Sequence, residues 1–536
     1  MMRKTISTLS ALAFGVLLAS SVNAQATNFG VSLYSNITLS TFGSGNGNDC
    51  WGYTSPSGRE YAIMGLNNKV AFVEVTNPSA PVIRKTIPHN SSLWGAIKVY
   101  GQYVYAATEQ SGTGIQVMDM GQIDSGIVTL IKTIPSPGRT HTLALNPDSG
   151  YLYTCGSREG TGWSMCFSLL NPADPVQVGA NSMTADYNHE CVVVSYTTGP
   201  YAGREIWFGF SEGRGVDIVD VTNKNAPFLV KRVTYPNMGY CHQGWLSADK
   251  KYLYVDDEFD ENNLGSNTRS LIFNVEDLAN ASFVTTFTSG LSSIDHNQYV
   301  SDGFAFQANY TTGLRVFDIT QNPTAPIQVG GYDTYTANNN PTYNGAWSNY
   351  PYFPSGTVIV SDIDGGMFVL NTTEATTRNV VPTAMSLPPT ASTIGTLENL
   401  TTSDDSHLEI FQNLATNQRL SPFELNLSAF AHDASPTKIR LKVESAANDG
   451  FGPNSSTITQ FVELYDWTTD SYVVMDSRLM TQTDQVIELT APGSLTRFVN
   501  QTDFQVKARL RWKLLSSSRS SPPRVSVDQF LFRITR

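Results

Sequence analysis

Gly215-Val-Asp-Ile-Val-Asp220-Val-Thr-Asn-Lys-Asn-Ala-Pro227 is the stretch from which the fold can be read. Its first half alternates as a β-strand does, and it ends on an aspartate that can satisfy turn amides. The Asn…Pro turn after it stops further pairing. Gly313-Leu-Arg-Val-Phe-Asp318-Ile-Thr-Gln-Asn-Pro-Thr-Ala-Pro326 is a second copy, and Lys69-Val-Ala-Phe-Val-Glu74-Val-Thr-Asn-Pro-Ser-Ala-Pro81 a third. Degenerate copies begin at Gly114, Gly162, Arg269 and Gly366. Counted from the residue after each start (70, 115, 163, 216, 270, 314 and 367), the spacing runs from 44 to 54 residues. That is the length of one four-stranded propeller blade.

Two further strands precede each copy, as in His141-Thr-Leu-Ala-Leu145, a Pro-Asp-Ser-Gly turn and Tyr151-Leu-Tyr-Thr154. The last copy, Gly366-Met-Phe-Val-Leu-Asn371, has no outer strand of its own, while Val31-Ser-Leu-Tyr-Ser-Asn-Ile-Thr-Leu39 is a strand with no blade before it. The expectation is an all-β chain: a seven-bladed β-propeller over 25–371, closed by pairing of its two ends, which removes exposed edges.

The repeat resembles the LVIVD repeat, and the stretch from about 28 to 371 is similar to secreted "choice-of-anchor B" proteins. The blocks that carry the likeness are Trp51-Gly-Tyr-Thr54, Gly58-Arg-Glu-Tyr61, His242-Gln-Gly-Trp245, Asp256-Asp-Glu258, Asp295-His-Asn297, Gln307-Ala-Asn-Tyr310 and Gly345-Ala-Trp-Ser-Asn-Tyr-Pro351. Where that family tends to carry Thr-His-Asp, this chain has Tyr187-Asn-His-Glu190. The resemblance implies a propeller and export, and brings no settled activity with it.

Residues 1–24 have the form of a secretory signal peptide: Arg3 and Lys4, an apolar run from Ala11 to Ala19, then Val22-Asn23-Ala24. The apolar run is shorter than a membrane span. A secreted or periplasmic protein with no transmembrane anchor is expected. Residues 372–400, rich in Thr and Pro, read as a linker. From 401 to 536 alternation returns, as in Glu424-Leu-Asn-Leu-Ser-Ala-Phe430 and Val506-Lys-Ala-Arg-Leu-Arg-Trp512, which suggests an accessory β-sandwich. Lys507, Arg509, Arg511, Lys513, Arg519 and Arg524 fall on its last strands, in a pattern that usually marks a solvated face.

The formal charge of −12 argues against general nucleic-acid binding. Of five cysteines, Cys155 and Cys166 flank a short Gly-rich turn and are the expected disulfide; Cys191 and Cys241 are a second candidate pair.

One register across the repeats, at the opening of the first strand, holds Trp51, Trp94, His141, His189, His242, His296 and Trp347. The chain has only seven histidines, and four fall here. First strands line a propeller channel, so the register maps to its mouth. The second-to-third-strand loop of the fifth blade reaches the same face and reads Asp256-Asp-Glu-Phe-Asp-Glu261. His141, His189, His242 and His296 with Asp256, Asp257 and Glu258 are candidate ligands for a divalent metal such as Zn or Mn. Glu190 and Asp295 flank two of the histidines as possible orienting acceptors. The plain alternative is a polar channel mouth that holds water and ties blades together. Asp119, Asp220 and Asp318 of the repeats are expected to be structural.

Two functions fit these residues. One is binding of an extracellular glycan or surface partner, with Trp51, Trp94 and Trp347 stacking on sugar faces. The other is metal-assisted degradation of an extracellular polysaccharide by a lyase or hydrolase, with His189, His242, His296, Tyr240 and Tyr310 as catalytic candidates. A structural surface component is a third. P-loop and His-Glu-x-x-His motifs are absent from the sequence.

Overall fold

The computed structural model describes residues 26–157, 163–412, 423–431, 434–448, 458–514 and 524–535. The leader at 1–24, the repeat start at Gly162 and Arg519 lie outside them. The fold is all-β. Among the described residues there are seven four-stranded sheets, one six-stranded sheet and one five-stranded sheet.

The sheet that contains the opening stretch shows how the repeat works. Its strands are Glu190–Tyr196, Arg204–Phe210, Val216–Asp220 and Phe228–Val233, paired antiparallel in that order. Gly215 must be glycine: its φ is +96°, and an added Cβ would lie 2.3 Å from the Val233 carbonyl oxygen. Gly313 repeats this, with φ +72° and 2.2 Å to the Tyr332 carbonyl. The aspartate closing the third strand then accepts from the amide two residues on: Asp220 from Thr222 at 2.9 Å, Asp318 from Thr320 at 2.8 Å, and Asp119 from Gly121 at 2.7 Å. Asn223 and Asn322 form the next turn in the same way. The motif is a strand start, a strand stop and a turn written in sequence.

Val216–Asp220 is buried throughout, because neighbouring sheets cover both its faces, whereas the outer strand Phe228–Val233 is largely open to solvent. Gly47–Thr54, Gly95–Tyr100, Thr142–Asn146, Glu190–Tyr196, Cys241–Leu246, Asn297–Ser301 and Ala346–Tyr350 are the first strands of successive sheets; each packs on the next, and Ala346–Tyr350 packs on Gly47–Thr54. This is a β-propeller arrangement. Ser32–Ile37, from the N-terminal end, pairs antiparallel with Gly366–Asn371 and supplies that sheet's outer strand.

The two C-terminal sheets share one apolar core that includes Leu425, Leu441, Val462, Leu510, Trp512 and Phe532. The stretch expected as a linker is part of them. Thr377–Val380 pairs with Arg524–Thr535, Ala384–Ser386 with Phe423–Phe430, and Ala391–Ile394 with Leu408–Gln412. Threonine-rich segments suit short edge strands, which composition alone does not separate from a tether. The basic face is largely paired: Arg509 and Arg511 meet Glu463, and Arg524 meets Glu409.

The expected Cys155–Cys166 disulfide is not formed, nor is Cys191–Cys241; all five cysteines are buried free thiols. Register is the reason. Cys166 lies opposite Tyr153 on the neighbouring strand, not opposite Cys155. Cys155 instead faces Cys191 of the next sheet. No helix among the described residues is long and apolar enough to cross a membrane.

Candidate functional site: a histidine arc with two kinds of carboxylate

Four sheets in succession bring His141, His189, His242 and His296 to one place, each at or next to the start of its first strand. Neighbouring ring centroids are 3.8, 4.9 and 4.3 Å apart, and all four rings are buried. Contact this close among four imidazoles suits neutral rings, since like charges in a dry site repel strongly.

What each Nδ1 meets fixes the ring. His141 Nδ1 bonds Glu109 Oε1 at 2.6 Å. His296 Nδ1 donates to the Trp347 carbonyl at 2.6 Å. His189 Nδ1 lies 2.9 Å from the Tyr240 hydroxyl, which itself donates to Glu212 Oε1 at 3.0 Å. All three Nδ1 atoms thereby meet an outer partner, and the Nε2 atoms of His141 and His296 are turned toward carboxylates, the arrangement of a metal-ligating histidine held by an outer acceptor. The fourth, His242, has a buried Nδ1 with no hydrogen-bond partner.

Carboxylates stand opposite these nitrogens. Glu190 Oε1 is 3.9 Å from His141 Nε2; Glu258 is 3.9 Å from His242 Nε2 and 3.6 Å from His296 Nε2. Tyr310 donates to Glu258 at 2.8 Å. Ligand atoms of His141, His189 and His242 lie within 4.8 Å of one another, as do those of His242, Glu258 and His296. Burial lowers the His296 pKa to about 3 and drives that of His242 well below the usual imidazole value. Burial resists charging of His141 too, but the Glu109 bond and the Glu190 charge outweigh it and raise its pKa. Burial pushes Glu190 and Glu258 up to about 7.

The other loop carboxylates divide. Asp257 accepts from Tyr235, Gly239 and Tyr240 at 2.7, 2.8 and 2.6 Å, so both its oxygens are spent on clasping the loop. It does not reach the histidines, which corrects its place in the expected ligand set. Asp256 points away from them as well, into a second group with Asp260, Glu261 and Asp295. Alternation separates Asp256 from Asp257, and Glu258 lies just past the strand end, where the turn rather than the pleat places it.

Of the three tryptophans, Trp347 packs against His296, and Trp51 is enclosed by Tyr299, Tyr350 and Tyr352 with Lys98 over its ring. Trp94 is 44 % exposed and alone among them offers an open face. Beside the histidines, a cavity of about 10 Å³ is lined by Asp49, Lys98, His141, Glu190 and His296, among others. That is room for one water or ion, and for no sugar.

Glu109 and Glu212 were not singled out from the sequence. A signal existed: Glu109, Glu212, Glu258 and Tyr310 all follow the second strand of their sheets by one or two residues. Reading that second register across the repeats would have found them.

Residues 297–334 match the family model of the LVIVD repeat, and they span all four strands of one sheet. No curated protein matches the chain. Among solved structures, the β-propeller domain of Cps50 (Swd1) from Myceliophteria thermophila is similar over 60% of this chain and 96% of its own, at 9% identity and TM-score 0.39. U3-55K covers 63% of this chain and 98% of its own, at 7% identity and TM-score 0.42. A protein of unknown function from Desulfotomaculum acetoxidans covers 55% and 87%, at 16% identity and TM-score 0.37.

Proposed function

We propose that this LVIVD-repeat propeller is an exported metal-binding protein, with a transition-type divalent cation held among the four channel-mouth histidines and Glu258. In this reading the seven four-stranded sheets are seven blades of one ring, and the last two sheets are an accessory β-sandwich. The observation that carries it is the convergence of His141, His189, His242, Glu258 and His296 ligand atoms, with the Nδ1 atoms of His141, His189 and His296 each held by an outer partner and a buried His242 Nδ1 that has none. A water-holding mouth does not need rings oriented alike, whereas nitrogen-rich cation binding does. Imidazole with carboxylate suits Zn and Mn, among other divalent ions. The small cavity favours an ion as the buried ligand, with any glycan or surface partner meeting the protein outside it, where Trp94 is open.

A second reading, metal-assisted polysaccharide breakdown, draws on the two phenols against the cluster: Tyr240 beside His189, and Tyr310 on Glu258. Either hydroxyl is placed to exchange a proton with a group bound above the arc. This reading needs the mouth to open further.

The deciding experiment is metal content by mass spectrometry on the full chain, purified without chelator or histidine tag. A variant with His141, His189, His242 and His296 changed to Ala serves as its partner. Near-stoichiometric transition metal in the native protein, lost from a folded variant, supports the site and justifies a turnover screen on polysaccharides. No metal in either, even after loading with Zn or Mn, rejects it and leaves the structural role.

A further inference from the structure

Behind the histidine arc lies a group of four carboxylates that the reading above does not use. Asp256 is the last residue but one of the second strand of the fifth sheet, Asp260 and Glu261 open the short helix after it, and Asp295 precedes His296 at the next sheet. Their exposures are 0, 0, 1 and 0 %. Burying four acids together costs heavily unless something positive meets them. Arg269 is the cation within hydrogen-bond reach, and its Nε binds Asp260 Oδ2 at 2.7 Å.

Each carboxylate has one oxygen anchored and the other bare. Asp256 Oδ1 accepts from Gln298 Nε2 at 2.7 Å, Glu261 Oε1 from the Arg269 amide at 3.2 Å, and Asp295 Oδ2 from the Ser270 hydroxyl. Asp256 Oδ2, Asp260 Oδ1, Glu261 Oε2 and Asp295 Oδ1 are all buried with no hydrogen-bond partner. The carboxylates converge: ligand atoms of Asp260, Glu261 and Asp295 lie within 4.8 Å of one another, and Asp256 meets Asp295. Two oxygens across one Ca²⁺, each bonded at about 2.3–2.6 Å, span this distance.

We propose that Asp256, Asp260, Glu261 and Asp295 form a second, all-oxygen site for a hard divalent cation of the Ca²⁺ class, separate from the histidine site. Carboxylate oxygens without nitrogen or sulfur donors suit Ca²⁺, Mg²⁺ or Mn²⁺ better than Zn²⁺, Cu²⁺ or Ni²⁺. The site ties the helix after the second strand of one sheet to the first strand of the next. Asp295 and His296 are adjacent in the chain, so the cation also steadies the strand start that carries one histidine. The alternative for these acids is to share protons with each other, and the two states differ in a measurable way.

The test is calorimetric titration of the full chain with CaCl₂ after chelator treatment, with melting followed in parallel. The native chain binds one Ca²⁺ and its melting temperature rises. Glu261→Gln and Asp295→Asn each weaken binding about tenfold or more, since ligand charge sets affinity. In chelator both variants melt at or above the native temperature, because each removes a buried charge. A chain with His141 and His242 changed to Ala keeps the Ca²⁺ response, which separates this site from the other. No Ca²⁺ heat and no shift in the native chain, or equal binding in both carboxamide variants, overturns the proposal. Should neither variant fold, competition on the native chain decides: a Ca²⁺-induced rise that survives one equivalent of Zn²⁺ upholds it, and one that Zn²⁺ abolishes overturns it.

Discussion

His242 Nε2 sits 3.9 Å from Glu258 Oε2 while the other nitrogen of the same buried ring meets no hydrogen-bond partner. A buried imidazole without a partner costs about 1–3 kcal/mol. On the present reading a bound ion offsets that cost, and His242, which belongs to both ligand groups of the arc, is the pivot of the site. His242→Ala is expected to lower transition-metal affinity more than alanine at His141 or His296. Titration with Zn²⁺ under matched conditions ranks the three; equal losses would argue against the pivot.

Glu109 and Glu212 act through the rings they orient, directly on His141 and through Tyr240 on His189. Glu109→Gln and Glu212→Gln are expected to weaken metal binding roughly 10- to 100-fold, the usual range for outer acceptors. A merely structural role would change the melting temperature and leave affinity alone. Measuring both on each variant separates the two.

Gly215 has no room for a side chain. Gly215→Ala would set a Cβ 2.3 Å from the Val233 carbonyl oxygen at a φ of +96°. The expected loss is roughly 1–3 kcal/mol by denaturant unfolding. Gly58, also at positive φ but with nothing near its Cβ position, is the comparison; there the backbone cost stands alone.

Removing residues 26–37 deletes the outer strand on Gly366–Asn371 and the Asn36 amide bonds to the Gly365 and Met367 carbonyls. The bared edge is a template for another chain. Light scattering on a sizing column should show oligomers or aggregate where the full chain is monodisperse. An unchanged profile would mean that the sheet of Gly366–Asn371 does not depend on this strand.

Asp362, which belongs to neither proposed ligand set, gives a pH signature of its own. Burial raises its pKa to about 6, against about 4 for an unfolded aspartate. The folded state therefore holds the proton more tightly. Its contribution is fully present below about pH 4 and is lost as pH rises through about 6, by up to about 3 kcal/mol. Unfolding free energies between pH 4 and 7 should fall more steeply in the native chain than in Asp362→Asn. Parallel curves would remove Asp362 as the cause.

The local code was written in the sequence because it is local. Gly215, Asp220 and Asn223 act on atoms within a strand or a turn, so the repeat, its strands and its period could be read directly. The histidine register was legible for the same reason, since one position repeated in successive sheets recurs at one level of them. Cross-strand and cross-sheet choices were not legible. Whether Cys166 faces Cys155 or Tyr153 depends on a pairing register that two cysteines flanking a turn do not specify. Nor does composition tell a tether from edge strands, so the pairing of 377–394 needed its partners to be seen. The acidic loop shows the division most clearly. Asp256, Asp257 and Glu258 are three neighbours in sequence, yet they serve an oxygen cluster, a backbone clasp and the histidine arc. Alternation along the strand parts Asp256 from Asp257, the strand end hands Glu258 to a turn, and only the surroundings of each decide what it meets.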